Sequence, residues 1–387
     1  MDFLNLNPLN AFMNIMSGNM LPVSNKNMKL SVITRIYWPL VWVLQVFYLS
    51  VCFLGIRYAP VEKSLRDSTV STAVTLEGII LSLYMNSRRN LLRRFIEQLN
   101  DTLDKGNKML ETITIESVKP LELVLRLYTY GSIASVAVWA LLQFTIVTQT
   151  DEFYYVDYRV PAVFSPEPFS LKVFVPSGLV VCLGNMYAII RKASLDIYVI
   201  HMIRLVTAQY KYLRRKLAEI LRGTSEEAVD GEDKVKQGMR LLAFHYETII
   251  QMSSILKDVL APNIGVVYIN SVFRFCFLSI MVVMISADDM EKYLVLMYTF
   301  GALVQLYMVC FSIQELFEAS KAIADDAFYE KWYVYDSSLQ RAMVIMTFGS
   351  KLECKVSSIR SIDLTLPSFM SILNQAYSVC LLFLKAR

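Results

Sequence analysis

The chain of 387 residues has little charge and few of the residues that carry catalysis. Charged side chains make up only 19% of it, and its two histidines, His201 and His245, both fall on amphipathic helical patterns. A lone histidine on such a pattern is more often a packing or surface residue than a ligand. A glycine-rich phosphate loop, a His-Glu-x-x-His motif and a paired-cysteine metal motif are all absent. We therefore expect neither an enzyme nor a cofactor.

Disulfide, secretion and repeat signals are also lacking. Five of the six cysteines lie within long apolar stretches, and none belongs to an extracellular disulfide pattern. Residues 1–30 lack the basic start, compact apolar core and cleavage site of a signal peptide, so we expect the first apolar stretch to act as an uncleaved anchor. No internal repeat is visible, which counts against the common transporter architectures.

The sequence contains several long apolar stretches. Hydrophobic residues make up 55% of the chain, and the mean hydropathy is +0.43. A helix needs roughly 20 mostly apolar residues to cross a bilayer. Stretches of about that length occur at residues 36–56, 69–87, 127–150, 173–190, 263–286, 293–314 and 364–384. These stretches predict an all-α polytopic membrane protein with seven transmembrane helices.

The distribution of lysine and arginine predicts the orientation. Basic residues are concentrated before the first stretch, between the second and third, between the fourth and fifth, and between the sixth and seventh. By the positive-inside rule the N-terminus is inside and the C-terminus outside, with anionic lipid rather than nucleic acid beside the basic residues. A G-protein-coupled receptor has the reverse orientation, and its Asp-Arg-Tyr and Asn-Pro-x-x-Tyr motifs are missing. The sequon Asn100-Asp101-Thr102 would lie in the cytosol, unglycosylated.

Long amphipathic patterns occupy the predicted cytoplasmic segments. One runs on from the fourth span to about Arg222-Gly223, with Leu195, Tyr198 and Met202 on its apolar face. Others cover about 236–260 and 323–350, and the second and sixth spans continue through 88–103 and 315–323. Two readings stay open: the helices pack within one subunit, or they also contact neighbouring subunits. The chain accordingly divides into spans one to four (1–190), cytoplasmic helices (191–262), spans five and six (263–314), further cytoplasmic helices (315–363) and the final span (364–387).

One face of the third span could line a small-molecule pocket. Ser132, Ser135 and Trp139 share that face at positions i, i+3 and i+7, which leaves room beside one large aromatic wall. At a similar height the second span offers Val70, Ala73 and Val74, and the sixth offers Tyr293, Met297 and Tyr298. Ordinary packing through small residues is the alternative. The aromatic, proline-rich segment 151–172 is either a lid over the bundle or an interfacial loop.

Polar residues inside the apolar stretches have two possible roles. Arg274 lies near the middle of the fifth span, where a charge must face protein or water. Glu77, Asn185 and Gln305 lie in other spans. Interhelical hydrogen bonding is the structural reading for each, and a place on an ion path is the functional one.

The C-terminal quarter contains a specific set of residues: Gln305 with Cys310, Ser320, Tyr329 with Trp332, Phe369, and the pair Tyr377-Ser378. In these features the chain resembles the insect odorant receptor family. Length, seven spans and an inside N-terminus also fit. Ser312 departs from the family, in which a glycine is common at that position.

The resemblance implies an odorant-gated, non-selective cation channel of four subunits in the plasma membrane. The chain looks like the variable, odorant-binding subunit that assembles with a common co-receptor, since the co-receptor's long insert after the fourth span is missing. A small, largely apolar volatile would bind in the outer half of the bundle. Aligned with the family, Cys182 and Met186 fall at the pocket, and Cys380, Phe383 and Leu384 fall at the pore and gate of the last helix. A gustatory-type channel is the nearest alternative, and a G-protein-coupled receptor is a more distant one.

Overall fold

The computed structural model describes residues 2–24, 32–222, 231–284, 289–329, 333, 336–353 and 364–385, and throughout these ranges the regular structure is helical. The helices are α1 (Phe3–Leu6), α2 (Pro8–Met16), α3 (Val32–Tyr58), α4 (Val61–Lys63), α5 (Thr69–Ser87), α6 (Arg89–Asp104), α7 (Lys108–Leu141), α8 (Leu171–Arg222), α9 (Gly231–Met284), α10 (Asp289–Tyr329), α11 (Ser337–Glu353) and α12 (Leu366–Lys385). A π-helical turn, Ser64–Ser68, joins α4 to α5, and a 3-10 helix, Leu142–Thr148, follows α7.

Several helices meet the length and composition needed to cross a membrane. In the described ranges they are Val32–Tyr58, Lys108–Thr148, Leu171–Leu221, Val235–Val282 and Glu291–Asp326, with a shorter apolar helix at Leu366–Leu382. Helix α5, which holds the predicted second span, is not among them. The all-helical membrane architecture is thus confirmed, while the count of seven spans and the orientation stay predictions.

The longest helices join predicted spans to predicted cytoplasmic segments. Helix α8 runs unbroken for 52 residues and ends at Arg222, and the residues after it, including Gly223, lie outside the described ranges. Leu195, Tyr198 and Met202 are buried, as their spacing predicts. The predicted helix 236–260 and the fifth span form one helix, α9, which continues through Pro262.

The prediction of one helix over 323–350 is wrong. Helix α10 ends at Tyr329, and α11 begins only at Ser337, after the non-helical Asp336. Asp336 accepts a bond from the Gln340 backbone N–H, and aspartate and serine favour helix starts over interiors because their side chains compete for backbone bonds. Trp332 lies outside the described residues.

Residues 2–24 pack into the bundle beside α6 and α8. The Phe3 backbone N–H donates to Asn100 Oδ1 at 2.8 Å, and Tyr198 Oη donates to the Pro22 carbonyl at 2.8 Å. Asn100, the asparagine of the sequon, is 3% exposed. Its amide is therefore closed to glycosylation in the folded chain.

Candidate functional site

A cavity lies between α5, α7, α8, α9 and α10, and most of its wall is apolar. Its lining residues are Asp67, Val70, Ser71, Val74, Ser135, Val136, Trp139, Asn185, Ala188, Ile189, Leu278, Met281, Leu294, Val295 and Tyr298. An apolar cavity with a few convergent polar groups is the usual form of a small-molecule site.

The structure brings five of the eleven predicted pocket residues to this cavity: Val70, Val74, Ser135, Trp139 and Tyr298. The other six, Ala73, Ser132, Cys182, Met186, Tyr293 and Met297, are not in its lining. Tyr293 and Met297 are 66% and 58% exposed, on the outer face of α10. Their ligand-binding role, like that of the five, stays a prediction.

Ser132 instead lies at a contact between helices. Its Oγ is 3.0 Å from the position that a Cβ on Gly301 would occupy, so α7 and α10 approach closely at this point. This is the packing use of small residues in membrane helices. A single turn of α7 therefore separates a packing serine from Ser135, which lines the cavity.

Sequence reasoning missed the contribution of α9 to the pocket. Leu278 and Met281 line it, but their side chains are of the kind that also face lipid or core. Asp67 and Ser71 were missed as well: Asp67 precedes the predicted second span, and Ser71 lies close to its start. Asn185 carried a usable signal because it is polar within an apolar stretch.

Helices α3, α5 and α8 meet through three oxygen atoms at the cavity wall. Tyr48 Oη is 2.7 Å from Ser71 Oγ and 2.9 Å from Asn185 Oδ1, and Ser71 Oγ is 2.5 Å from Asn185 Oδ1. Ser71 and Asn185 line the cavity, whereas Tyr48 lies behind them and is 1% exposed. The triad fixes the relative positions of three helices at the site.

The segment 151–170 covers the bundle with an aromatic cluster. The Phe153 ring stacks on Phe174 with centroids 4.3 Å apart, and Tyr158 lies 5.1 Å from Phe174. Trp139, which lines the cavity, also packs against this cluster. Burial raises the pKa of Tyr158 to about 12, and its hydroxyl is hydrogen-bonded to Ser177 Oγ.

Two contacts tie this segment to the helices beneath it. Arg159 pairs with Glu291 near the start of α10 at 2.6 Å. The backbone at Pro161 lies against Gly55 of α3 so closely that a Cβ at Gly55 would overlap the Pro161 carbonyl. The segment is therefore a packed cover, which agrees with the lid reading.

A charged network lies one turn below the cavity. Lys192 Nζ is 2.8 Å from Glu77 Oε1 and 2.7 Å from Asp196 Oδ1, and all three side chains are buried. Asn270 donates to Glu77, and Arg274 Nη2 donates to Gln305 Oε1 at 2.6 Å. The bonds of Glu77, Arg274 and Gln305 agree with the structural reading of these residues, because each of them joins two different helices.

The final helix, α12, packs on α9. Cys380 is 6% exposed and forms a small apolar cluster with Cys276 and Ile280. The side chains of Phe383 and Leu384 lie outside the described residues. The pore and gate role of these three residues stays a prediction.

Comparison with known proteins identifies one sequence family and two solved structures of similar fold. The sequence profile of the family described as 7tm Odorant receptor matches residues 63–377. The solved structure of the insect olfactory receptor OR5 from Machilis hrabei has a TM-score of 0.81 and 13% identity, with 100% of each chain covered. The structure of that receptor in complex with eugenol has a TM-score of 0.76 and 15% identity, again with 100% coverage of both chains. No curated protein matches the sequence.

Proposed function

The chain belongs to the odorant receptor family, and from that membership we propose that it is the odorant-binding subunit of an odorant-gated, non-selective cation channel. The channel would be a tetramer with a co-receptor in the plasma membrane. The observation that carries the proposal is the family match over residues 63–377. It disfavours a gustatory-type channel and a G-protein-coupled receptor.

The ligand of this proposal is a small, largely apolar volatile in the cavity between α5, α7, α8, α9 and α10. Dispersion and burial against Val74, Trp139 and Leu278 would supply most of its affinity, since the wall is mainly apolar. A neighbour of similar fold has been solved in complex with eugenol, which shows that this architecture can hold a small aromatic ligand in at least one receptor.

Helix α9 supplies the mechanical link to the proposed pore. Leu278 and Met281 line the cavity, while Cys276 and Ile280 of the same helix pack against Cys380 of α12. A ligand that prefers one position of α9 would therefore also favour one position of α12. The ligand can shift the balance between the closed and open channel only by the difference between its affinities for these two states.

The pore is proposed to lie along α12. Its exposed residues include Asn374, Gln375 and Ser378, which lie on one side of an apolar helix. Polar side chains at membrane depth face protein or water, so this side is suited to a conduit or to a neighbouring subunit. Closure by apolar side chains at Cys380 and Leu384 would exclude water from the conduit.

Exposed apolar residues support assembly through the predicted cytoplasmic helices. Leu241 and Phe244 on α9 are 67% and 74% exposed, and Ile345 on α11 is 68% exposed. Large apolar side chains that are exposed away from lipid are typical of a subunit contact. We propose that these residues meet neighbouring subunits.

Whole-cell recording tests the proposal. Cells that express this chain with a co-receptor should show cation currents on exposure to a panel of volatiles, and a tag at Met1 should be inaccessible in unpermeabilised cells. Surface-expressed receptor that gives no odorant-evoked current, alone or with the co-receptor, would refute it.

A further inference from the structure

The triad of Tyr48, Ser71 and Asn185 at the cavity wall has more oxygen–oxygen contacts than hydroxyl protons. Asn185 Nδ2 donates to the Val181 carbonyl at 3.1 Å, which turns Oδ1 towards the two hydroxyls. The opposite amide orientation would place two carbonyl oxygens against each other. Each hydroxyl has one proton, so two protons serve three oxygen–oxygen contacts.

Neighbouring groups add no proton to the three oxygen–oxygen contacts of the triad. The Cys52 thiol lies beside the Tyr48 hydroxyl, but its proton can serve only the sulfur–oxygen contact. Elsewhere in the cavity lining, Ser135 Oγ donates its proton to the Gly131 carbonyl at 2.8 Å and presents lone pairs to the cavity. The wall on α5 and α8 thus presents acceptors and Ser135 on α7 adds another, while Trp139 and Tyr298 bring an indole N–H and a hydroxyl to other parts of the lining.

We propose that the cavity selects neutral ligands that carry a hydroxyl group, alcohols and phenols, over ethers and carbonyl compounds of the same skeleton. This inference rests on the proposed function and specifies the ligand class of the same site. The ligand O–H donates to a free lone pair of Ser71 Oγ or Asn185 Oδ1, because both hydroxyl protons are already used within the triad. Asp67, the carboxylate in the lining, is paired with Lys63 at 2.6 Å, which favours a neutral ligand over an ammonium ion.

The energetic reason is the cost of an unsatisfied polar contact. An ether or a ketone brings only lone pairs to this wall and displaces the water that could donate there. Such a ligand loses the hydrogen bond that a hydroxyl makes with this wall and sets its lone pairs against those of Ser71 and Asn185, so the discrimination is expected to reach about tenfold in half-maximal concentration.

Matched ligand sets test the inference on the full receptor expressed with a co-receptor. Each set holds an alcohol, its methyl ether and its carbonyl analogue, for example cyclohexanol, methoxycyclohexane and cyclohexanone, or benzyl alcohol, benzyl methyl ether and benzaldehyde. Linear, alicyclic and aromatic skeletons are all included. In each set that evokes cation current, the alcohol should act at a concentration about tenfold lower than its two analogues.

Asn185→Leu provides a sharper outcome. Without the amide, the hydroxyls of Tyr48 and Ser71 share one contact and have two protons. One proton is then free to donate to a ligand. The preference for the alcohol should therefore invert to a preference for the carbonyl analogue. Ser50→Ala is the matched control, because Ser50 Oγ donates to the Val46 carbonyl of its own helix on the exposed side of α3. That control should keep the alcohol preference.

The outcomes separate the two proposals. Currents in which the ether or ketone equals the alcohol would overturn the inference and leave the channel proposal standing. No current from any set, with both subunits at the cell surface, would refute the channel proposal and this inference together. An Asn185→Leu receptor that keeps the alcohol preference also overturns the inference, and if that variant does not reach the surface the comparison in the unmodified receptor decides.

Discussion

Lys192 places one ammonium group between two carboxylates in the interior of the bundle. Its side chain is 1% exposed, and Nζ contacts Glu77 at 2.8 Å and Asp196 at 2.7 Å. Removing charges from water is costly, and mutual attraction offsets that cost only while every charge keeps its partner. The sequence suggested Glu77 as an intramembrane polar residue but assigned Lys192 to a cytoplasmic segment.

Lys192→Met should destabilise the fold by about 3–5 kcal/mol, because it removes the ammonium group that contacts both buried carboxylates, Glu77 and Asp196. The matched control is Lys105→Met, whose pair with Asp101 is exposed on both sides. That control should cost no more than about 1 kcal/mol. Thermal unfolding of the purified protein and surface expression measure both variants, and equal losses would contradict the structural role of Lys192.

Trp139→Ala should raise the half-maximal concentration of an agonist by about tenfold without abolishing surface expression, because the indole lines the cavity and supplies a large apolar wall. Leu141→Ala is the control on the same helix, since Leu141 is 51% exposed and absent from the lining. Dose–response currents give the measurement. An unchanged response profile for Trp139→Ala would remove this residue from the site.

At the scale of helices, α3 and α8 touch along a glycine. A Cβ added at Gly184 would overlap the Tyr48 ring, and the Gln45 side-chain amide donates to the Gly184 carbonyl at 2.8 Å. Close approach at this point also brings Tyr48 to Asn185, so the packing of two helices fixes one wall of the cavity.

Gly184→Ala should therefore destabilise the protein by about 1–3 kcal/mol through overpacking against Tyr48. Gly131→Ala is the matched control within a helix, because nothing lies within 4 Å of the added Cβ. Alanine there should stabilise the helix by roughly 0.5–1 kcal/mol. Unfolding temperatures of the two purified variants give the comparison, and a tolerated Gly184→Ala would contradict the α3–α8 contact.

At the scale of the whole molecule, the sequence left open whether the predicted cytoplasmic helices pack only within one subunit or also contact neighbouring subunits. Much of their apolar surface packs inside the chain, where Leu195, Leu205 and Ile249 are fully or almost fully buried. Phe244 and Leu241 remain exposed on α9, well away from its predicted membrane span. Packing within one subunit is therefore confirmed for the buried residues, and contact of the exposed residues with a neighbouring subunit stays a prediction.

Phe244→Asp should reduce recovery of the complex with the co-receptor on the order of tenfold, because large aromatic anchors dominate the stability of subunit contacts. Glu247→Ala is the control, an exposed polar residue less than one turn away on the same helix. Co-purification from detergent measures assembly. Equal recovery of the two variants would exclude Phe244 from the contact.

The sequence by itself determined that this chain is a bundle of membrane helices, several of which extend as amphipathic helices beyond their apolar stretches, since apolar length and amphipathic period are properties of the chain alone. It also placed Ser135, Trp139 and Tyr298 on faces that line the cavity. Only the tertiary structure decided that Ser132 packs on Gly301, that Leu278 joins the cavity, and that Lys192 is buried. Lipid tails and protein cores are equally apolar, so the choice between them depends on helix rotation and on neighbours far away in the sequence.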